Sequence, residues 1–156
     1  MRRMDREIKE PKEIEAILEQ AFVCHLGLVD IDTPYVVPLN YVYTNGHIYF
    51  HSAAVGRKLN LIRENPKVCF QMELYNTEII KQPNDQPCEW GTTYKSVIGT
   101  GTAVILTDVA EKKAALQAIV RRFDRRDLPF SESDFAAVAV VRIDIEEMVG
   151  KKSRDS

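Results

Sequence analysis

The chain has 156 residues, of which 45% are hydrophobic and 28% are charged, and its formal net charge at pH 7 is −2. This length suits one ordinary domain with a buried core, so we predict a single domain over residues 1–150 and a frayed tail over residues 151–156. The charge balance lacks the basic excess of most nucleic-acid binders, which argues against nucleic acid as a partner.

Cysteine usage and hydropathy indicate a cytoplasmic protein. The three cysteines are odd in number, and the N-terminal segment has charges but no apolar core of a signal peptide. The longest apolar run, residues 135–141, is far shorter than the roughly 20 residues that a membrane helix needs. We therefore expect no membrane contact.

No metal site is expected either. His47 and His51 lie roughly 13 Å apart along one predicted strand, which is too far for them to share a metal ion. Cys24, Cys69 and His25 fall within predicted strands, so we interpret the cysteines as small buried residues and the histidine as a structural one.

The first half of the chain predicts a helix followed by three strands. Residues 11–21 have apolar positions at helical spacing, and residues 22–29 alternate as a strand does. Residues 35–43 form a second strand, which a Thr-Asn-Gly turn joins to a third strand at residues 47–51.

Pro38 lies inside the second predicted strand and removes a hydrogen-bond donor from it. Proline is confined to strand edges, bulges or openings, so the strand should have one of these at Pro38. A flat ligand could dock against the exposed backbone there.

A short helix with an unusual first turn follows the third strand. It should begin near Gly56 and end at Asn65, which places Arg57 and Lys58 in its first turn. Each cation there costs roughly 0.3 to 1 kcal/mol because the helix dipole is positive at that end. A phosphate held by these cations, the free N–H groups and Ser52 would reverse that cost. The alternative is a solvated surface pair.

The second half predicts two more strands, a helix and a final strand. Residues 67–75 form a strand, residues 76–89 a long polar loop, and residues 92–107 a strand bent at Gly99 and Gly101. The remaining predicted features are a helix from Asp108 to Phe123, a solvated basic cluster of Arg121, Arg122, Arg125 and Arg126, a helical turn at residues 131–135, and a strand at residues 137–149.

This order of elements offers few units suited to parallel crossovers. It favours a mainly β protein, with a largely antiparallel barrel and helices packed outside it. A dinucleotide-binding Gly-x-Gly-x-x-Gly motif is not completed, because Val104 occupies its third glycine position. No serine lies in a nucleophile elbow.

Three separated segments resemble a known family. They are YVVPLNYVY from Tyr35, IYFHSAAVGRKLNLIRENPKVCF from Ile48, and YKSVIGTGTAV from Tyr94. Together they are similar to the split-barrel flavoproteins related to pyridoxamine 5'-phosphate oxidase, and more closely to the nitroimidazole-resistance branch. The resemblance implies an antiparallel FMN-binding split barrel of Greek-key type.

The resemblance also implies FMN bound in a groove between the two subunits of a homodimer. Arg57 and Lys58 correspond to phosphate ligands, and His51 and Ser52 to a strand-end pair whose second member also reaches the phosphate. The strand whose backbone faces the flavin ring corresponds to Val37, Pro38, Leu39 and Asn40. The position that reaches the cofactor from the partner subunit corresponds to Lys95 and Ser96.

One departure from the family changes the expected activity. The oxidase ends with a Trp and Arg segment that holds its substrate, whereas this chain ends in KKSRDS and has its one tryptophan at Trp90. We therefore expect an FMN-dependent reductase of a small, flat, electron-poor substrate such as a nitroaromatic compound, with NAD(P)H or another reductant. His51 and Tyr94 are the candidate proton donors.

Two other functions fit the same residues. A non-catalytic flavin carrier or sensor would share every phosphate contact. A haem-binding relative would use a histidine to ligate iron.

Overall fold

The computed structural model describes residues 3–81, 84, 86–124, 131, 135 and 137–153. The strands are β1 (Glu7–Ile8), β2 (Val23–Asp30), β3 (Thr33–Asn40), β4 (Val42–Thr44), β5 (His47–Ala53), β6 (Lys67–Ile80), β7 (Gly91–Ile105) and β8 (Val138–Lys152). The helices are α1 (Pro11–Gln20), α2 (Arg57–Glu64) and α3 (Val109–Asp124), with 3-10 turns at Met4–Arg6 and Pro87–Glu89.

The strands form one sheet in the order β3-β2-β6-β7-β8-β5-β4, and β1 pairs with β8. The pairings between these strands are all antiparallel. The predicted mainly antiparallel β class is therefore confirmed.

The two edge strands, β3 and β4, are separated by Tyr41 alone. Its ring is fully buried, and its hydroxyl donates a hydrogen bond to the Leu18 carbonyl oxygen of α1 at 2.7 Å. The sequence predicted one strand over residues 35–43. The chain instead turns at Tyr41 to bury its ring, which carries the backbone from one edge of the sheet to the other.

The core lies in two clusters. The larger fills the inside of the sheet against α1 and α2, and the smaller packs α3 against β4, β5 and β8. Asp108 begins α3 as predicted, since its Oδ1 accepts the Glu111 N–H at 2.7 Å. The predicted bend of β7 is also present, because the register with β8 shifts between Thr100 and Gly101.

A second glycine of β7 is needed for close packing. A Cβ atom on Gly99 would lie 2.3 Å from Phe70 Cζ and 2.6 Å from the Glu147 carbonyl oxygen. Only a residue without a side chain fits between β6 and β8 there.

The predicted loop from residue 76 and the predicted tail from residue 151 both begin too early, because the strands pair further than their sequence suggests. Residues 76–80 belong to β6, not to a loop, and Ile79 and Ile80 pair with Thr92 and Gly91 of β7. At the other end, Lys152 pairs with Lys95, and the Ser153 N–H donates to the Tyr94 carbonyl oxygen at 2.9 Å. The predicted fraying therefore does not begin at residue 151, and residues 154–156 lie outside the described residues.

The predicted helical turn at residues 131–135 lies mostly outside the described residues, as do Arg125 and Arg126 of the basic cluster. Arg122 is not a solvated helix end. Its Nη1 donates to the Glu19 carbonyl oxygen at 2.5 Å, its Nη2 donates to that of Ala21, and its guanidinium lies over the rings of Tyr41 and Phe22.

Candidate functional site

β3 is an edge strand, as Pro38 predicted. It pairs with β2 alone, so the backbone of its second edge is open within the sheet. Alternation divides the four predicted ring-facing residues between two faces. The side chains of Val37 and Leu39 pack against the core, whereas Pro38 and Asn40 are exposed. A flat ligand could therefore meet the open backbone edge and the outer face of β3.

The helix α2 begins at Arg57, which confirms the predicted start. Gly56 precedes it with φ 144°, and no side chain caps the helix. The first turn contains no acidic residue, and the first N–H groups of a helix have no acceptor within it. These features favour an anion at the first turn of α2.

The two cations of this turn have different surroundings. Arg57 Nε donates to Asp30 Oδ2 at 2.9 Å, and its guanidinium carbon lies 4.3 Å from the centre of the Tyr35 ring. Lys58 is half-buried, with Nζ 5.2 Å from the centre of the Phe50 ring. Within the described part of the chain, no carboxylate pairs with Lys58, and burial lowers its ammonium pKa.

Sequence reasoning missed Asp30 and Tyr35, which hold Arg57 in place. Both lie beside the turn between β2 and β3. Tyr35 begins one of the segments that carry the family resemblance, but it was not predicted to contact Arg57. An acidic residue just before a turn carries no local signal that a helix 27 positions later will contact it.

His51 and Ser52 are neighbours in β5, but their side chains lie on opposite faces of the strand. The strand was predicted to end at residue 51, but it continues to Ala53, with Ser52 opposite Ala139 of β8. Ser52 therefore shares a face with Phe50, over which Lys58 lies, while His51 faces the other way. The structure brings Ser52 and Lys58 to one side of the strand and leaves His51 on the opposite side.

Lys95 and Ser96 likewise lie on opposite faces of β7. Lys95 Nζ contacts Glu13 Oε1 of α1 at 2.9 Å, and this contact lowers the pKa of the Glu13 carboxyl. Ser96 lies on the outer face, between Glu73 of β6 and Lys151 of β8. The two neighbouring residues could not both contact one ligand from a flat strand.

The structure places Lys95 far from Arg57 within one chain. Lys95 pairs with Leu74, whereas Arg57 contacts Asp30 at the other end of β2. Following the registers of β2 and β6, the two positions are eight residues apart along the strands, or roughly 25 Å at about 3.3 Å per residue. One cofactor could contact both only if two chains contributed to its site.

An open cavity of about 350 Å³ lies beside Lys95, where β6 and β7 pass the end of α1. Its lining residues are Gln20, Leu74, Tyr75, Asn76, Thr93, Tyr94 and Lys95. Tyr94, a predicted proton donor, therefore lines a cavity, and the structure gives His51 no place in it.

The outer face of β3, β2, β6, β7 and β8 carries exposed apolar side chains. Ile98 and Val149 form a cross-strand pair and are 54% and 45% exposed. Val23 and Val36 are exposed on the same face. Cys69 also lies there and is exposed, contrary to prediction, whereas Cys24 is buried and its thiol pKa is raised to about 12.

Comparison with known proteins identifies the family. The family model described as pyridoxamine 5'-phosphate oxidase matches residues 10–152. The chain belongs to this family. The match spans β2 to β8, and it includes α2, the open edge of β3 and the cavity beside Lys95. No curated protein matches the chain.

Several solved structures share the fold. A candidate 5-nitroimidazole antibiotic resistance protein from Bacteroides thetaiotaomicron is 29% identical, with a TM-score of 0.82 over 94% of this chain and 86% of the other. A FAD-binding protein from Mesorhizobium loti is 26% identical, with a TM-score of 0.71 over 95% and 97%. The flavocytochrome Anf3 from Azotobacter vinelandii is 22% identical, with a TM-score of 0.84 over 98% and 72%. The predicted split barrel is thereby confirmed.

The described residues offer neither a cluster of metal ligands nor a membrane-spanning helix. No group of three or more His, Cys, Asp or Glu side chains among them is arranged to hold a metal ion. None of the helices in that part of the chain is long and apolar enough to cross a membrane.

Proposed function

We propose that this chain binds FMN with its phosphate at the first turn of α2 and acts in the cytoplasm as a flavin-dependent reductase of a small, electron-poor substrate. The observation that carries the proposal is Lys58, a half-buried ammonium without a carboxylate partner in the described chain, next to Arg57 in a turn free of acidic residues. A phosphate monoester carries about −1.5 to −2 charges at pH 7. Because Asp30 already pairs with Arg57, the net attraction for the phosphate comes from Lys58 and the positive end of the helix, while Arg57 contributes directed hydrogen-bond donors.

The residues of this chain divide the work of binding. Asp30 and Tyr35 hold the Arg57 guanidinium, so little side-chain freedom is lost when it meets a phosphate. Lys58 and Ser52 meet the same anion from the β5 side, and the open edge of β3 supplies backbone groups to the ring. The bound flavin would supply the hydride chemistry, with NAD(P)H or another reductant as donor.

A second copy of the chain would complete the site. The roughly 25 Å that separate Arg57 from Lys95 along the strands favour a two-fold arrangement, in which the cavity beside Tyr94 in one subunit meets α2 of the other. The exposed apolar pair Ile98 and Val149 lies between these two regions and fits the centre of a subunit interface. Lys95 or Ser96 would then reach the cofactor from the partner.

The phosphate site is tested by the double substitution Arg57→Ala and Lys58→Ala. Each charge-assisted hydrogen bond contributes about 1.5 to 3 kcal/mol, so we expect a folded protein that no longer binds FMN. Arg63→Ala, in the last turn of the same helix, is the matched control and should bind FMN normally. Fluorescence titration measures the affinity, and undiminished binding by the double variant would refute this phosphate site.

The visible spectrum of the purified wild-type protein separates the alternative cofactors. Flavin bands are expected, and a haem Soret band in their place would contradict the proposal. Retention of FMN without any NAD(P)H-driven turnover of an acceptor would instead support a carrier or sensor.

The proton donor is tested with Tyr94→Phe and His51→Ala. Because Tyr94 lines the cavity and His51 faces away from Lys58, we expect Tyr94→Phe to slow reoxidation of the reduced flavin by a nitroaromatic acceptor about 100-fold. His51→Ala, the matched comparison, should change that rate less than about twofold, and both variants should retain FMN. Stopped-flow reoxidation measures the rates. The reverse ranking would assign the proton to His51.

A further inference from the structure

His25 belongs to a chain of side-chain hydrogen bonds on the outer face of the sheet. Its Nδ1 lies 2.9 Å from Gln71 Oε1, and Gln71 Nε2 donates to Glu73 Oε2 at 3.1 Å. His25 and Gln71 are a cross-strand pair of β2 and β6, and both are half-buried. The imidazole was predicted to be a structural histidine within a strand. His25 does lie within β2, on the outer face of the sheet, where Val23, Val36 and Ile98 are also exposed.

These hydrogen bonds determine which ring nitrogen carries the proton in the neutral imidazole. A carboxylate accepts hydrogen bonds and does not donate them, so the Gln71 amide must present its NH₂ to Glu73 and its oxygen to His25. The oxygen in turn requires a proton on His25 Nδ1. In the neutral imidazole, Nε2 is then a hydrogen-bond acceptor. The hydrogen bond from Nδ1 to Gln71 fixes the orientation of the ring.

The position of His25 relates it to the proposed flavin site. Its cross-strand partner on the other side is Pro38, in the middle of the segment whose backbone is expected to face the flavin ring. Pro38 lies three residues beyond Tyr35, which packs against Arg57 at the phosphate end. Three residues of strand span about 10 Å, comparable with the extended ribityl phosphate arm of FMN. Tyr35 packs towards the core, whereas Pro38 and His25 lie on the outer face. A ring that extends from that phosphate site past the open edge of β3 would therefore reach the outer face at the level of Pro38 and His25.

We propose that His25 is a hydrogen-bonding residue of the flavin ring, accepting at Nε2 from the ring imide N–H, with Gln71 as its positioning residue. The oxidised isoalloxazine carries a single N–H group, the imide at N3, so an oriented acceptor selects that edge. This inference rests on the proposed function, because the ligand is the FMN of that site.

The test is a double-mutant cycle in which one change removes the His25 imidazole and the other removes the imide N–H of the ligand. FMN and 3-methyl-FMN, which lacks the imide proton, are titrated at pH 8, where an ordinary imidazole is neutral, into full-length wild type and His25→Leu. We expect wild type to prefer FMN about tenfold and His25→Leu to bind both ligands within about twofold. Gln71→Leu should lose part of the preference. His47→Gln, whose imidazole contacts Asp144 of β8, is the control and should keep it.

The outcomes separate the two proposals. Normal FMN binding by His25→Leu with an unchanged preference would overturn the role of His25 and leave the phosphate site standing. Failure of wild type to bind either ligand would overturn the proposed function and this inference with it. If His25→Leu does not fold, His25→Phe takes its place, since a phenyl ring keeps the planar shape of the imidazole but has no hydrogen-bond acceptor, and it too should lose most of the preference.

Discussion

Arg57 and Lys58 are neighbours in the sequence but differ in what surrounds their charges. The Arg57 guanidinium already pairs with the Asp30 carboxylate, whereas the Lys58 ammonium is half-buried and lies over the Phe50 ring. Burial without a partner disfavours the charged form, which is why the pKa of Lys58 is lowered. A bound phosphate would supply the missing negative charge and raise that pKa again.

This difference predicts a pH dependence of FMN affinity. Above the lowered pKa of Lys58 in the unliganded protein, the ammonium is partly deprotonated, and phosphate binding must take up a proton. Affinity should therefore fall as pH rises through that lowered pKa. Below it, Lys58 is fully protonated, and its titration should no longer change the affinity. Titrations of FMN from pH 7 upward measure the effect.

Lys58→Arg is the matched control for this dependence, because a guanidinium keeps its charge across the whole range. The fall in affinity should be present in wild type and absent in Lys58→Arg. An equal fall in both proteins would show that another group takes up the proton.

The same residues show what sequence reasoning could reach. The position of Arg57 and Lys58 in a first helical turn was predictable, because Gly56 and the spacing of the apolar residues after it indicate where the helix begins. The direction of the helix dipole follows from that start. The contact of Arg57 with Asp30 and that of His25 with Gln71 join residues 27 and 46 positions apart. The first contact depends on where α2 packs against the end of β2, and the second on the register of β2 with β6. No local sequence pattern specifies either.

Helix α1 ends without a basic residue of its own in the last turn, and α3 supplies one. Arg122 donates to the carbonyl oxygens of Glu19 and Ala21, where the helix dipole is negative, and its guanidinium also covers the Tyr41 ring. The sequence predicted a solvated cluster because the basic run looked like the end of α3 alone. The residue actually joins two helices to the turn between β3 and β4.

Arg122→Ala should therefore destabilise the fold. Loss of two charge-assisted hydrogen bonds from a partly buried site should lower the free energy of unfolding by about 2 to 3 kcal/mol. Lys113→Ala, on an exposed position of the same helix, is the control and should change it by less than about 0.5 kcal/mol. Chemical denaturation measures both. Equal stability of the two variants would mean that Arg122 is solvated after all.

Element boundaries were predictable where the chain signals them and not where a partner strand extends them. Pro11, Gly56 and Asp108 mark the starts of α1, α2 and α3. Each of them affects only the first turn of its own helix. The extension of β6 to Ile80 and of β8 to Lys152 comes from pairing with β7. A polar strand end that is formed by pairing with a neighbouring strand has the same composition as a loop, so the sequence alone does not distinguish the two.

At the scale of the whole molecule, the outer face of the sheet predicts assembly. Ile98→Glu would place a charge in the middle of the exposed apolar face, so it should convert a dimer into a monomer and weaken FMN binding with it. Val109→Glu, an equally exposed apolar position at the start of α3, should leave the dimer intact. Sedimentation at micromolar concentration measures the state of each variant.

Two results would contradict the shared site. If wild type is a monomer that still binds FMN tightly, Lys95 and Ser96 do not belong to the site. If Ile98→Glu stays dimeric, the subunits meet through a different face.

The position of β8 in the sheet has a consequence for synthesis on the ribosome. β8 is made after the seven other strands, yet it lies in the middle of the sheet, between β7 and β5, and also holds β1. Until it emerges, the nascent chain can form only two partial sheets, β3-β2-β6-β7 and β5-β4, whose inner edges have nothing to pair with. Such edges are templates for other chains, so the growing polypeptide is most prone to aggregate just before translation of β8 is complete.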